Sequence, residues 1–366
     1  MHYPLLFSKL RLGPVELRSR IVLSPMTTGF GFAEGVPDET FTAYIRARSR
    51  AVGMVVVAFG AVAPEGRVEE QLPWMWREDI AGHLRPLVTA VHAEGALACL
   101  QLGHGGRQVS PVVTGLTPVA PSPVPPPVHV KEPPHELSAA EIEEIVDAFG
   151  RAAARAADAG FDAVELHGAH GYLLDEFLWT RTNLRTDSYG GSLAARTRFP
   201  AEVVAAVRGA VGPDYPIVYR FSQWKASDFG ASIVGNPVEL QELLGPLVDA
   251  GVDLFHPSTR RHYAPAFPDA DPALSLSGWT KKVTGVPVIA VGSVGLETQF
   301  RSERPGDVIQ PAAVDRLVDQ FEAGEFDLAA IGRALLADPT WVNRLRDDTL
   351  DGFNGYDAAV ALAGLS

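Results

Sequence analysis

Strand-like and helix-like segments alternate from one end of this chain to the other, and that alternation leaves few folds open. Short apolar runs read as buried strands at Ile21–Ser24, Met54–Ala58, Leu97–Leu102, Ala163–His167, Ile217–Phe221, Leu254–His256, Val288–Val291 and Leu328–Ile331. Between them, periodic patterns predict helices at Glu39–Ala51, Asp79–Glu94, Ser138–Ala159, Leu193–Val211, Pro237–Ala250, Leu276–Val283 and Ala312–Ala323. A last helix is expected to start at Pro339, since proline suits a first turn. Strands separated by helices pair in parallel, and eight is the number that closes a barrel. The expected fold is therefore α/β, a (β/α)8 (TIM) barrel. The 366 residues, 46% of them hydrophobic, suffice for one domain over 1–366 with insertions.

The insertions are legible too. Lys9–Leu17, KLRLGPVEL, alternates about Gly13-Pro14 and predicts an N-terminal β-hairpin that plugs the barrel bottom. The proline-rich run Pro118–Pro134 suits neither helix nor central strand. It is expected to be a long loop after strand three and a wall of the site. A second long loop, Arg260–Pro272, follows strand six and carries Arg260, Arg261, His262, Tyr263 and Phe267. Both loops fall on the C-terminal face, where such barrels carry their active sites.

Charge and cysteine usage narrow the partners. A net charge of −13 argues against nucleic acid or an anionic membrane surface. The lone Cys99 sits in an apolar run, so it has no internal disulfide partner and belongs to no iron–sulfur or zinc cluster. MHYPLLFSKL at the N-terminus lacks a signal pattern, and no apolar run reaches membrane-spanning length. A cytoplasmic protein acting on a small molecule is expected, with a homo-oligomer left open.

The strand ends carry the chemistry. DAVELHGAHGYLLDEFL, Asp162–Leu178, places His167, His170 and Tyr172 where strand four stops. Two imidazoles and a phenol suit holding an oxygen that gains negative charge and then supplying a proton. Thr27 and Thr28 follow strand one, Gln101 and His104 lie at strand three, and Arg220 ends strand five. Gly292-Ser293 and Gly332-Arg333 follow strands seven and eight, where this fold commonly binds phosphate. Together these residues point to a phosphorylated ligand whose other end reaches Gln101 and Arg220, as a flavin mononucleotide would. Blander readings compete. His104 is expected to be a structural hydrogen-bonder, and His83, His92 and His135 to lie at the surface. Two histidines could ligate zinc, yet no third ligand stands at a natural position. A Schiff-base mechanism needs a lysine in the barrel mouth. None of Lys9, Lys131, Lys225, Lys281 and Lys282 ends a strand as drawn above.

These residues resemble the Old Yellow Enzyme family of FMN-dependent oxidoreductases. The resemblance runs through RIVLSPMT (Arg20–Thr27), AVAPEGR (Ala61–Arg67), QLGHGGR (Gln101–Arg107) and APSP (Ala120–Pro123). It continues in AGFDAVELHGAHGYLLDEFL (Ala159–Leu178), NLRTDSYGGS (Asn183–Ser192), PVIAVGS (Pro287–Ser293) and IGRALLADP (Ile331–Pro339). It implies noncovalent FMN, reduction by NADH or NADPH, and hydride transfer to the β-carbon of an activated alkene. By position, His167 and His170 would bind the substrate's activating oxygen, and Tyr172 would protonate the α-carbon. Thr27 would bond the flavin O4, with Pro25, Met26 and Gly60 near the ring. Gln101 and Arg220 would hold the pyrimidine edge, and Gly292, Ser293, Gly332 and Arg333 the phosphate. The chain departs from the family pattern at Ser19, Ala58-Phe59, Gly29, Ala195 and His256–Pro268. A flavin-binding barrel turned to sensing and a non-redox lyase are the competing functions.

Overall fold

The computed structural model describes residues 3–127, 132–299 and 308–358. Its centre is a parallel sheet of eight strands: β1 (Ile21–Leu23), β2 (Met54–Ala61), β3 (Leu97–Gly103), β4 (Ala163–His170), β5 (Ile217–Lys225), β6 (Leu254–Pro257), β7 (Ile289–Val291) and β8 (Leu328–Ile331). Neighbours run β6-β5-β4-β3-β2-β1-β8-β7. Isolated parallel bridges, Phe255 with Val288 and Ser258 with Val291, join β6 to β7 and close the barrel.

Strand alternation divides the side chains. Val22, Met54, Val56, Cys99, Ala163, Val218, Leu254, Ile289, Leu328 and Ala330 form one buried inner cluster. Leu12 and Leu17 join it from the hairpin Leu10–Leu12 with Val15–Leu17, so the hairpin stoppers the barrel as its sequence suggests. The alternate residues, such as Val164, Leu166, Tyr219, Phe221 and Phe255, pack in the larger cluster with the surrounding helices. Farther up, the inward positions turn polar, and register aligns them. Glu165 pairs with Gln101, His167 with Arg220, and Arg220 with His256.

The helices begin and end on side chains that satisfy their free backbone groups. The longest, α3 (Ala139–Ala159), starts in a capping box in which Ser138 accepts from Glu141 N and Glu141 accepts from Ser138 N. It stops at Gly160, whose φ of 97° is open to glycine at little cost. The others are α1 (Glu39–Ser49), α2 (Ile80–Ala93), α4 (Leu193–Val211), α5 (Pro237–Ala250), α6 (Leu276–Thr284) and α7 (Asp315–Glu322).

Three expectations need correction. The last helix does not start at Pro339: α8 (Arg333–Ala337) precedes it and α9 starts at Trp341. Between them the Asp338 carboxylate accepts from Thr340 N and Thr340 Oγ1, which ties the proline into a turn. Strand five runs on to Lys225, so a lysine does end a strand. None of the described residues of the proline-rich run lines the cavity at the strand ends, and residues 128–131 lie outside the description. Val124 and Pro125 carbonyls accept from Arg107, Pro121 O accepts from Arg185, and Ser122 Oγ accepts from Leu184 N. Val119–Ala120 pairs with His135–Glu136. No helix among the described residues is long and apolar enough to cross a membrane.

One buried acid is poorly supported. Glu176, in the short helix Leu173–Leu178 after β4, is fully buried. Its Oε1 accepts from Arg107 N at 3.0 Å, and its Oε2 has no hydrogen-bond partner. Burial pushes this carboxyl well above its ordinary range, and nearby Arg107 offsets only part of that. A group raised in the folded state gives full stability below its unfolded pKa of about 4.3 and loses it as pH climbs. Glu176→Gln should therefore match the parent protein near pH 4 and exceed it by at least about 1 kcal/mol at pH 8–9. Urea unfolding at the two pH values checks this, and equal stability at both would remove the argument.

Candidate active site

One cavity of about 640 Å³ opens at the C-terminal end of the strands. That lies within the range of about 300–1,000 Å³ found for ligand and cofactor pockets. Most of the residues singled out in the sequence line it. Pro25, Met26 and Thr27 come from the loop after β1, Gln101 from β3, and Arg220 from β5. His167, His170 and Tyr172 come from the end of β4. Gly292 and Ser293 after β7, with Gly332 and Arg333 after β8, line its far side.

Gly60 does not line the cavity. The ladder between β2 and β3 slips between Val57 and Gly60, which turns Gly60 into the wall and brings Ala58 and Phe59 to the cavity. A Cβ on Gly60 would meet Met75 Cγ at 2.9 Å. Phe59 packs edge-on to His167 and Tyr172, 5.6 Å between centroids in each case. Its ring also rests on Gly103, where a Cβ would come within 2.4 Å of it. The bulky residue at this departure therefore backs the donor group, and only glycine opposite leaves room for it.

Three donors converge at β4. Ring centroids of His167 lie 5.1 Å from those of His170 and of Tyr172. His170 and Gly171 both take left-handed backbone, φ 64° and 81°, which swings His170 out of line with the strand. That turn is held by Gln108 Nε2 donating to the His170 and Gly171 carbonyls, and by Ser222 Oγ accepting from His170 N. Burial, with Arg220 nearby, pulls His167 down to about 3, and it pulls His170 well below the usual range. Both rings are neutral near pH 7, so each carries one N–H. Burial, with Glu69 nearby, pushes Tyr172 up to about 12, so it keeps its proton.

The floor is a charged network that the sequence reading missed. Glu165, wholly buried inside the barrel, accepts from Gln101 Nε2 at 2.7 Å and contacts His256 Nδ1 at 2.6 Å. Arg220 Nη1 lies 3.9 Å from it. Burial pushes the Glu165 carboxyl up, but His256, Arg220 and Gln101 more than offset that and leave it below the usual range. A signal was available: Glu165 stands two residues before His167, so period two puts it on the same inward face. His256 ended the predicted strand six in the same way.

The polar atoms that remain unpaired show what the cavity can hold. Arg220 Nε and Nη1 and His167 Nδ1 are buried without a hydrogen-bond partner. Such groups are costly unless a ligand satisfies them. Across the cavity, Arg333 Nη2 donates to Ser293 Oγ at 3.2 Å and to Thr298 O at 2.9 Å, which fixes a guanidinium at the glycine-lined end. Cationic donors at one end and an arginine–glutamine edge at the other fit a ligand with a phosphate and a heterocyclic imide. The residues present thus suit FMN. The four other histidines weighed in the sequence behave as expected. His104 is buried and accepts from Gly106 N, whereas His83, His92 and His135 sit near the surface against Asp79, Asp162 and Glu141.

The profile of the NADH:flavin oxidoreductase / NADH oxidase family matches residues 5–351. The chain belongs to this family. It is 38% identical over 359 residues to an NADH oxidase of Thermoanaerobacter brockii, covering 94% of this chain and 51% of that protein. It is 34% identical over 350 residues to an NADPH dehydrogenase of Clostridium acetobutylicum, covering 94% and 96%. The old yellow enzyme homologue of Zymomonas mobilis superposes with a TM-score of 0.80 at 25% identity, covering 98% of this chain and 96% of that one. The chain spans about half the length of the first curated relatives it matches. The family's cofactor is FMN, with NADH or NADPH as reductant. The departures at Ser19, Ala195 and Phe59 thus sit within an intact barrel: Ser19 Oγ donates to Ala51 O, and Ala195 N donates to the capping Ser192.

Proposed function

We propose that this protein reduces the C=C bond of activated alkenes, α,β-unsaturated carbonyls or nitroalkenes, with electrons from NADH or NADPH. The observation that carries the reading is the packing of His167, His170 and Tyr172 at the mouth of the same cavity that holds the Arg220–Gln101 edge and Arg333. When bound, FMN supplies the redox chemistry, taking hydride from the nicotinamide and giving hydride to the alkene β-carbon. Gln101 and Arg220 would hold the pyrimidine edge, Thr27 its O4, and the Pro25-Met26 backbone the ring. Gly292, Ser293, Gly332 and Arg333 would hold the phosphate.

The chain's own groups complete the addition. Neutral His167 and His170 each have an N–H for the carbonyl or nitro oxygen. That oxygen gains negative charge as hydride arrives, so these bonds strengthen toward the transition state. Tyr172 then gives its phenolic proton to the α-carbon and regains one from water. The alkene thus receives one hydride and one proton.

The test is spectroscopic. The purified protein should be yellow, NADH or NADPH should bleach it without air, and one equivalent of enone or nitroalkene should restore the colour. Recovery with oxygen but with neither alkene would overturn the reading. Anchoring of the phosphate is tested separately. A guanidinium–phosphate contact is charge-assisted, and hydrogen bonds to charged groups contribute about 1.5–3 kcal/mol. Arg333→Ala should therefore weaken FMN binding by roughly 30-fold, read by fluorescence titration of the stripped protein. Unchanged affinity would remove Arg333 from the phosphate site.

A further inference from the structure

His170 is held by groups that no motif at β4 contains. Its ring stacks on Trp224, 4.4 Å between centroids and 28° between planes. Its Nε2 lies 2.8 Å from Ser258 Oγ. The same Ser258 Oγ accepts from Arg220 Nη2 at 3.3 Å. Ser258 itself is buried and cannot shift freely. Its N donates to Phe221 O at 2.7 Å, its O accepts from Trp224 Nε1 at 3.0 Å, and its backbone pairs with Val291 where the barrel closes.

Counting protons settles the direction of the contact. A guanidinium only donates, so Arg220 occupies a lone pair of Ser258 Oγ. The hydroxyl has one hydrogen, and His170 Nε2 is the acceptor within reach. If Nε2 carried the ring proton instead, the serine hydrogen would be buried without an acceptor, at a cost. His170 also faces Arg220, Lys225, His167 and His256, and a further positive charge beside Arg220 and Lys225 is disfavoured. A neutral ring that accepts at Nε2 keeps its proton on Nδ1.

We propose that Ser258 is a positioning residue that sets the tautomer of His170. It donates to Nε2, leaves the proton on Nδ1, and so fixes which N–H the ring presents to the cavity. The second contact, to Arg220, ties that choice to the residue at the flavin edge. The use of this N–H on a substrate oxygen rests on the alkene-reductase reading; the tautomer does not.

The experiment is nitrogen NMR of the holoprotein labelled with 15N-histidine, with the His170 signals identified by their loss in His170→Asn. A bare imidazole nitrogen and one bearing a proton resonate far apart, so the tautomer is read directly. The parent protein should show Nδ1–H and a bare Nε2. Ser258→Ala should shift the ring to a mixture or to Nε2–H, and Ser258→Thr, which keeps a hydroxyl, should restore the parent pattern. A parent ring protonated at Nε2, or a Ser258→Ala ring still wholly Nδ1–H, would overturn the assignment. Binding of 2-cyclohexenone is the second readout, expected to weaken about tenfold in Ser258→Ala and to recover in Ser258→Thr. A shifted tautomer with unchanged enone binding would uphold the assignment to Ser258 and count against the alkene-reductase role of His170.

Discussion

Replacing Lys225 with methionine should lower the unfolding free energy by about 3–5 kcal/mol, the usual consequence of stranding one member of a buried ion pair. Lys225 and Asp175 are both fully buried, with Nζ 2.8 Å from Oδ1. Lys225 Nζ also donates to Ser222 O at 3.1 Å, and Asp175 Oδ2 accepts from Gly171 N at 2.6 Å. The pair therefore joins the end of β5 to the left-handed turn that carries His170 and leads to Tyr172. Burial already pushes Asp175 up, and Lys225 opposes that push. Without the lysine the carboxyl rises further above its unfolded value of about 3.9. Stability lost to such a group is greatest at high pH and recovers toward acid, where both states bind the proton. The deficit of Lys225→Met in urea unfolding should accordingly shrink from pH 8 to pH 5. Adding Asp175→Asn should recover most of it, because the amide oxygen can still accept from Gly171 N. A loss below about 1 kcal/mol at pH 8 would mean the pair does not hold the turn.

The barrel was readable because its determinants are local. α5 matches its predicted span, Pro237–Ala250, since Asn236 caps one end and Gly251 the other. The eight strand positions were visible because the inward and outward sides of a barrel are both apolar along most of each strand. The strand ends were less visible. Ser222–Lys225 reads as polar loop, yet it continues β5 because Lys225 pairs with His170 across the ladder. Gly60 leaves the cavity lining at a one-residue slip in pairing, which leaves no mark on composition.

Much of the site was readable for a related reason: strand ends deliver side chains to one place once the barrel is accepted. Arg220 in a buried strand and the two histidines beside a tyrosine signal chemistry without coordinates. The supports were hidden. Trp224 meets His170 through the pairing of β5 with β4, and Ser258 reaches it from the end of β6, so nothing within one segment encodes that meeting. Nor does the departure at Phe59 show from sequence alone that Gly103 gives its ring a seat against His167 and Tyr172.

His167→Ala and Tyr172→Phe should slow the alkene half-reaction by about 10²-fold or more each on enones, through different steps. His167 is buried, neutral down to about pH 3, and its Nδ1 has no protein partner. Its loss removes a donor from the oxygen where charge collects, so both enone affinity and turnover should fall. Reduction by NADH or NADPH does not build charge on that oxygen and should change little. Tyr172, pushed up to about 12, is an acid that stays protonated until well above neutral pH. Its loss should leave enone binding and the nicotinamide half-reaction near the parent values and slow only proton delivery to the α-carbon. Nitroalkenes provide the contrast, because the nitronate persists and water can protonate it. Tyr172→Phe should therefore convert nitroalkenes at close to the parent rate while failing on enones. The same two positions on the pH scale predict a flat enone rate between pH 5 and 9. Anaerobic stopped-flow separates the half-reactions. A Tyr172→Phe protein slowed equally in both, or one that reduces enones normally, would take the proton from another group. A rate falling through pH 6–7 would mean that a histidine titrates there and that the neutral-donor account of His167 is wrong.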